Sequence, residues 1–312
     1  MRIGLDVMGG DFAPEAIIEG AADSLRHLSS DDKLVLIGDM NSIQNKLAEM
    51  KTDLSHLEII HTTQVIEMGD VPSKAYSAKQ DSSIAVGYRM LKNCEIDGFC
   101  SAGNTGAMLV GASYTVNVIP GVIRPALALI VPSTDNRHSV MLDVGLNPDS
   151  KPDLLFQYGI LGSIFAEYVL EIKNPVVKLL NIGEEESKGT PSLKAAYELM
   201  KDNPGINFKG NIEANHLFRE TMSDVIVCDG FVGNVVLKLS EAFHSVYKQR
   251  NLKDSYFDSL NFENIGGTPI IGINANVVVG HGVSKRRAIM NMILSTWAVV
   301  HANLAQKIKE AI

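Results

Sequence analysis

A chain of 312 residues, 46% hydrophobic and 21% charged, carries enough apolar material for a large core and excludes a disordered or fibrous protein. Its formal net charge of −8 argues against a nucleic-acid partner, because neutralising phosphates needs a basic surface. Cys94, Cys100 and Cys228 form neither an even disulfide framework nor paired CxxC spacing, so a reducing cytoplasm is expected and no metal or cofactor is implied.

The first strand is RIGLDV, and Asp6 ends it before a signal-peptide core can develop. No uncharged apolar run of about 18 residues follows anywhere, so secretion and membrane spanning are not expected. A helix over 14–28 leads to strands at KLVLIGD and LEIIHT, and a helix over 82–92 to the strand DGFCSA and a helix over 105–115. The stretch 116–132 is interrupted by Arg124 and by Pro120, Pro125 and Pro132, and reads as a loop entering the strand ALALIV. Then come SVMLDVG, a helix over 154–170, VKLLNIG, a helix over 192–200, INFKG, DVIVCDG and a helix over 234–248. The strand NANVVVGHG and a helix over 284–309 complete the order. That last helix repeats Ile289, Met292, Ile293, Thr296, Trp297, Val300 and Leu304 at three- and four-residue steps, one apolar stripe for its own core or for a dimer seam. Alternating strands and helices predict an α/β fold with a largely parallel sheet covered on both faces. With neither linker nor repeat, residues 1–312 are expected to form a single domain of two intertwined lobes.

Ligands of such sheets bind beyond the carboxyl ends of the strands, and six loops there are polar or glycine-rich: VMGGDFAP, SAGNTGA, DVGLNPD, NIGEEESKG, DGFVGN and VGHGVSKRR. In SAGNTGA, Gly103 and Gly106 let backbone approach an anion, a helix starting near Thr105 points N–H groups at it, and Ser101, Asn104 and Thr105 add polar side chains. Gly9, Gly10 and Asp11 offer a similar turn in the first loop. In DGFVGN, Asp229, Gly230 and Gly233 precede a helix starting near Asn234, with Lys238 one turn on. Each loop alone is more often an ordinary capped turn, and Lys238 more often a solvated lysine. NIGEEESKG is no P-loop, since Lys188 precedes Gly189 and three glutamates fill the cradle. GxGxxG, GxSxG and HExxH are absent. Cys100 or Cys228 as a thioester-forming nucleophile, and His281 as a proton donor or a structural histidine, stay open.

Taken in order, MGGDFAPEA, SAGNTGA, LLNIGEEESKG, GNIEAN, DGFVGNVVLK and the closing GG-x-PIIG…HG-x-S resemble the successive signatures of the bacterial phosphate acyltransferases. The resemblance implies a three-layer α/β/α fold like that of isocitrate and isopropylmalate dehydrogenases, and a homodimer. It also implies transfer of a fatty acyl group from acyl-acyl-carrier-protein to inorganic phosphate, giving acyl phosphate for phosphatidic acid and phospholipid synthesis by a downstream membrane glycerol-3-phosphate acyltransferase. Phe12 stands where that pattern has histidine, DVGLNPD replaces DxGAN while keeping Asp143, Gly145 and Asn147, and 245–264 is shorter and more polar than a segment associated with membrane contact. A cytoplasmic protein is therefore expected, with peripheral attachment at the inner membrane face less secure.

On this reading Asn104 and Asn234 aim N–H groups at phosphate or the oxyanion, Lys238 neutralises charge, and Asp143, Asn147 and Asp229 orient the donors. Lys188 or His281 assists the leaving thiolate. Lys285, Arg286 and Arg287 are the first candidate patch for acidic acyl carrier protein, and Lys248, Arg250 and Lys253 the second. The alternatives are an acyl-coenzyme A donor and a non-catalytic anion-binding scaffold.

Overall fold

The computed structural model describes residues 1–53, 55–219 and 222–312. From the N-terminus come β1 (Arg2–Asp6), α1 (Glu15–Ser24), β2 (Lys33–Gly38), α2 (Met40–Met50), β3 (Leu57–His61), α3 (Pro72–Ala78), α4 (Ser83–Lys92), β4 (Gly98–Ser101) and α5 (Thr105–Gly111). Next are β5 (Ala126–Leu127), β6 (Leu129–Pro132), β7 (His138–Leu142), α6 (Pro152–Tyr168), β8 (Val176–Asn181), α7 (Pro191–Lys201), β9 (Asn207–Glu213), β10 (Val225–Val227) and α8 (Gly230–Gln249). The last elements are α9 (Ser255–Ser259), α10 (Phe262–Ile265), β11 (Gly267–Ile271), β12 (Asn276–Gly280), α11 (Arg286–His301) and α12 (Leu304–Ala311). Two compact units share them: Met1–Ile119 with Phe262–Ala305, and Pro120–Asn261 with Gln306–Ile312.

In the first unit the strands run in the order β3-β2-β1-β4-β12-β11, all parallel except β11 against β12. Period-two alternation sends Ile3, Leu5 and Cys100 into one core with Ile17, Ile18 and Ala21 of α1 and Ile289, Met292 and Ile293 of α11. Each fully buried Leu or Ile there contributes about 1.5–3 kcal/mol by leaving water. Gly20 brings α1 against α11, since a Cβ there would lie 2.6 Å from Arg286 O and Ile289 Cβ. Phe99 points to the opposite face, where α4 receives it: a Cβ on Gly87 would strike its ring, and Tyr88 meets it edge-on at 5.3 Å. Helices on both faces of largely parallel strands make the three-layer α/β/α arrangement, and the stripe of α11 belongs to its own unit's core.

In the second unit the order is β6-β7-β10-β8-β9, parallel except β6 against β7. Here α6 buries Leu154, Leu155, Tyr158, Leu161, Ile164 and Phe165, and Gly162 lets it settle on Val225 and Leu142.

Several local expectations are corrected. The α8 helix starts at Gly230, not near Asn234, because the Asp229 carboxylate accepts from Val232 N at 2.8 Å and caps it there. The closing helix stops at His301, with Asn303 at φ +51, before α12 resumes. The short helix α3 opens on Pro72 at its first position, and β11 carries Pro269 in mid-strand, so neither stands out by composition.

Candidate functional site

Because β1, β4 and β12 are parallel neighbours, the loops leaving their carboxyl ends lie side by side. Asp11 N donates to Gly282 O at 2.8 Å, tying VMGGDFAP to the loop after β12. Gly10, at φ +112, would place a Cβ 3.2 Å from Gly282 O and 3.3 Å from Ala102 O, and a Cβ on Gly9 would lie 2.7 Å from Gly103 Cα and N. Three expected binding loops thus pack backbone on backbone, and their glycines are required by that closeness. His281 sits in the last of them, in a turn closed by Ser284 N on His281 O at 2.9 Å.

Beneath these loops lies a residue without a sequence signature, Asp6. Its carboxylate is fully buried at the end of β1, accepting from Ser101 Oγ at 2.6 Å and Met8 N at 3.0 Å, while Ser101 Oγ accepts from Gly103 N at 2.9 Å. Burial pushes its pKa up, against the lowering effect of Ser101, Ser83, Met8 and Gly9. The one hint in the sequence is a carboxylate closing a strand that is apolar from Ile3 to Leu5.

Asn104 is the N-cap of α5 and serves the chain itself. Its Oδ1 accepts from Ala107 N at 3.0 Å, and its Nδ2 donates to the carbonyls of Glu67, Met68 and Asp70 at 3.1, 3.2 and 3.2 Å. Its amide caps the helix whose N–H groups it is expected to aim, and clamps 67–70. The N–H groups of Thr105 and Gly106 have no partner among the described residues, as the first turn of a helix leaves them.

The first basic patch has acidic neighbours. Arg286 makes a two-pronged pair with Asp23, one arm at 2.7 Å, and this hydrogen bonding holds the Asp23 carboxyl below the usual range. Lys285 lies over the Phe12 ring at 5.1 Å. Asp11, Glu15 and Glu19 line an open cleft of about 500 Å³ with Lys285 and Arg286, so acids outnumber bases there. Arg287 is exposed.

In the second unit, Asp143 is fully buried after β7. It accepts from Leu127 N (2.9 Å), Leu146 N (3.1 Å), Asn147 N (2.5 Å) and Asn147 Nδ2 (3.2 Å), and Asn147 Nδ2 also reaches Pro125 O at 2.8 Å. Asn147 O receives Gly230 N at 2.8 Å. A Cβ on Gly230 would come within 2.7 Å of the Asp143 carboxylate, and one on Gly233 would overlap Asp143 O. At the start of α8, Gly230 N and Val232 N are used internally, and Asp229 acts as a cap. Asn234 stands by Gly145, whose Cβ would be 3.6 Å from its Oδ1. Lys238 pairs with Glu241 at 2.8 Å, and Lys188 with Glu185 at 4.0 Å. In NIGEEESKG, Asn181 Nδ2 grips Lys188 O at 3.2 Å, and Gly189 takes φ +90.

Both strand-end thiols are buried. Burial pushes Cys100 up to about 12, while burial and then Asp229 and Asp143 push Cys228 well above the ordinary range. Cys228 Sγ is spent on Asp143 O at 3.3 Å. Among the described residues no single helix is long and apolar enough to cross a membrane.

Residues 1–251 match the family described as Fatty acid synthesis protein. Phosphate acyltransferases from Caldicellulosiruptor bescii and Dictyoglomus turgidum are 40% and 37% identical to this chain, each comparison covering 100% of it and 98% of the relative. The chain belongs to the phosphate acyltransferase family. Membership makes it an acyltransferase with a place in lipid synthesis. Among solved structures, a phosphotransacetylase from Streptococcus pyogenes superposes with a TM-score of 0.67 at 15% identity, covering 96% of this chain and 94% of that one. A branched-chain phosphotransacylase from Enterococcus faecalis gives 0.65 at 14% identity, covering 96% and 99%. At such identities the likeness concerns the fold alone.

Proposed function

We propose that this phosphate acyltransferase moves a fatty acyl group from acyl-acyl-carrier-protein to inorganic phosphate. The released acyl phosphate would serve a membrane glycerol-3-phosphate acyltransferase on the way to phosphatidic acid. The observation that carries the reading is the junction of glycine loops after β1, β4 and β12, with Thr105 and Gly106 N–H groups left for an anion. Full-length identity to phosphate acyltransferases supports the acceptor.

A phosphate oxygen bonds to the thioester carbonyl carbon, a tetrahedral oxyanion forms, and the carbon–sulfur bond breaks as the carrier's thiolate leaves. Phosphate is already anionic near neutral pH, so placement matters more than a base, and the two buried thiols favour direct attack over an acyl-cysteine. Alignment supplies on the order of 7–11 kcal/mol, and each aimed donor about 3–4 kcal/mol. Gly9, Gly10, Ser101, Gly103, Thr105 and Gly106 shape the phosphate loops, and Asp11 borders them. Asn104, Asp143, Asn147, Asp229 and Gly233 fix backbone. Asn234 and Lys238 meet developing charge, and Lys188 or His281 assists the thiolate. A cytoplasmic homodimer completes the proposal.

Trapping the product with hydroxylamine tests it. Hydroxamate is expected only with phosphate present, and faster from acyl-acyl-carrier-protein than from acyl-coenzyme A at equal concentration. The reverse order assigns the donor to coenzyme A, and no hydroxamate from either leaves the scaffold reading.

A further inference from the structure

We infer that Asp6 is a positioning residue for phosphate, the shared anchor that fixes the spacing of the Gly9–Gly10 and Ser101–Gly103 backbones. A buried carboxylate is costly without a cation, and among the described residues no Lys, Arg or His pairs with Asp6. What it has instead is donors. The Ser101 hydroxyl donates its hydrogen to Asp6 and turns a lone pair toward Gly103 N. A directional chain results, Gly103 N–H to Ser101 Oγ and Ser101 O–H to Asp6, with Met8 N arriving from the other loop at 3.0 Å.

Sterics lead to the same atom. A Cβ on Gly9 would strike Asp6 Oδ2, and one on Gly103 would sit 3.1 Å from it. Ser83, buried at the start of α4, acts on the same carboxylate by lowering its pKa. The segments after β1 and β4 thus converge on one carboxyl group. The loop after β12 is coupled to them through Asp11 N and Gly282 O. Helix capping does not need Asp6, since Ser82 caps α4 and Asn104 caps α5. Asp6 has this role only if these loops hold phosphate, as proposed above.

The test measures hydroxamate formation by wild type, Asp6→Asn, Ser101→Ala and the double variant, varying phosphate and acyl donor separately, with melting temperature alongside. Asp6→Asn is expected to raise KM for phosphate about ten- to a hundredfold, the penalty of a displaced reactant, and to leave KM for the acyl donor within about twofold. Ser101→Ala should move KM for phosphate in the same direction, and the double variant should be no worse than Asp6→Asn, because both cut one chain. Asp32→Asn, another buried carboxylate of this unit, should lower melting temperature without changing either KM. A phosphate KM within about twofold of wild type in Asp6→Asn, or both KM values rising together, overturns the inference. Should Asp6→Asn fail to fold, a folded Ser101→Ala with unchanged phosphate KM overturns it equally. A wild type without phosphate-dependent hydroxamate overturns the proposed function and this role with it, whereas an active wild type with insensitive variants overturns this role alone.

Discussion

Asp143→Asn separates a structural acceptor from a spectator with a single atom change. The carboxylate receives Leu127 N and Leu146 N at one oxygen and Leu146 N, Asn147 N and Asn147 Nδ2 at the other. An amide must present NH₂ at one pole. The less costly choice faces Leu127 N, which loses its 2.9 Å acceptor and meets a second donor, while the contacts to Asn147 survive in neutral form. One charged hydrogen bond lost and one buried donor stranded amount to about 2–4 kcal/mol. For a unit of this size each kcal/mol lowers the melting temperature by about 2–4 °C, so a drop of about 4–16 °C is expected. Circular dichroism melting of Asp143→Asn beside Asp149→Asn, an exposed neighbour, measures it, with the earlier transition assigned if the two units melt separately. A loss of less than about 1 kcal/mol would refute the view that Asp143 is the acceptor organising this loop.

Native protein should yield one reactive thiol to a maleimide, Cys94, and three after denaturation, since Cys100 and Cys228 are buried and held as thiols. Asp32 is expected to govern acid stability: burial disfavours its charge, but hydrogen bonds from the N-terminal amine, Ser29 and Trp297 outweigh it and lower its pKa to about 2. The stabilisation of about 2 kcal/mol is complete above the unfolded value near 4 and disappears as pH falls toward 2. Urea unfolding followed by the single tryptophan, Trp297, should show this loss in wild type and not in Asp32→Asn. Gly233→Ala should destabilise by about 1–3 kcal/mol, because the added carbon overlaps Asp143 O and no side chain can move aside. Reversing Arg286 and Arg287 to Glu should change KM for a carrier-protein substrate by less than about twofold, given Asp23 and the acidic cleft, while Arg250→Glu with Lys253→Glu should raise it more.

The strands were legible because β-branched runs such as KLVLIG and VKLLN leave little alternative to a buried strand. The starts of helices were less so. Gly230 and Gly233 look like loop residues, yet they are glycine because Asp143 and Asn147 press on them, a constraint set nearly ninety residues away. The candidate loops could be located from polarity and position, but the tasks of their side chains could not. An Asn that caps and clamps is chemically identical to one that greets a ligand, and only the carbonyls of Glu67, Met68 and Asp70 tell them apart. Asp23 pairs with Arg286 from 263 positions away, and Asp6 gains importance from distant neighbours at 101 and 103. Such facts are tertiary, and no periodicity announces them.

The packing of α1 on α11 has a consequence for biosynthesis. A ribosome delivers Ile17, Ile18 and Ala21 long before Ile289, Met292 and Ile293, and β12 must later slot beside β4. Until then the early strands expose an uncovered face, whereas 120–261 emerge as one nearly self-sufficient stretch. The middle of the polypeptide should therefore mature first, with the amino-terminal portion waiting, prone to aggregation and dependent on chaperones, for a helix translated almost last.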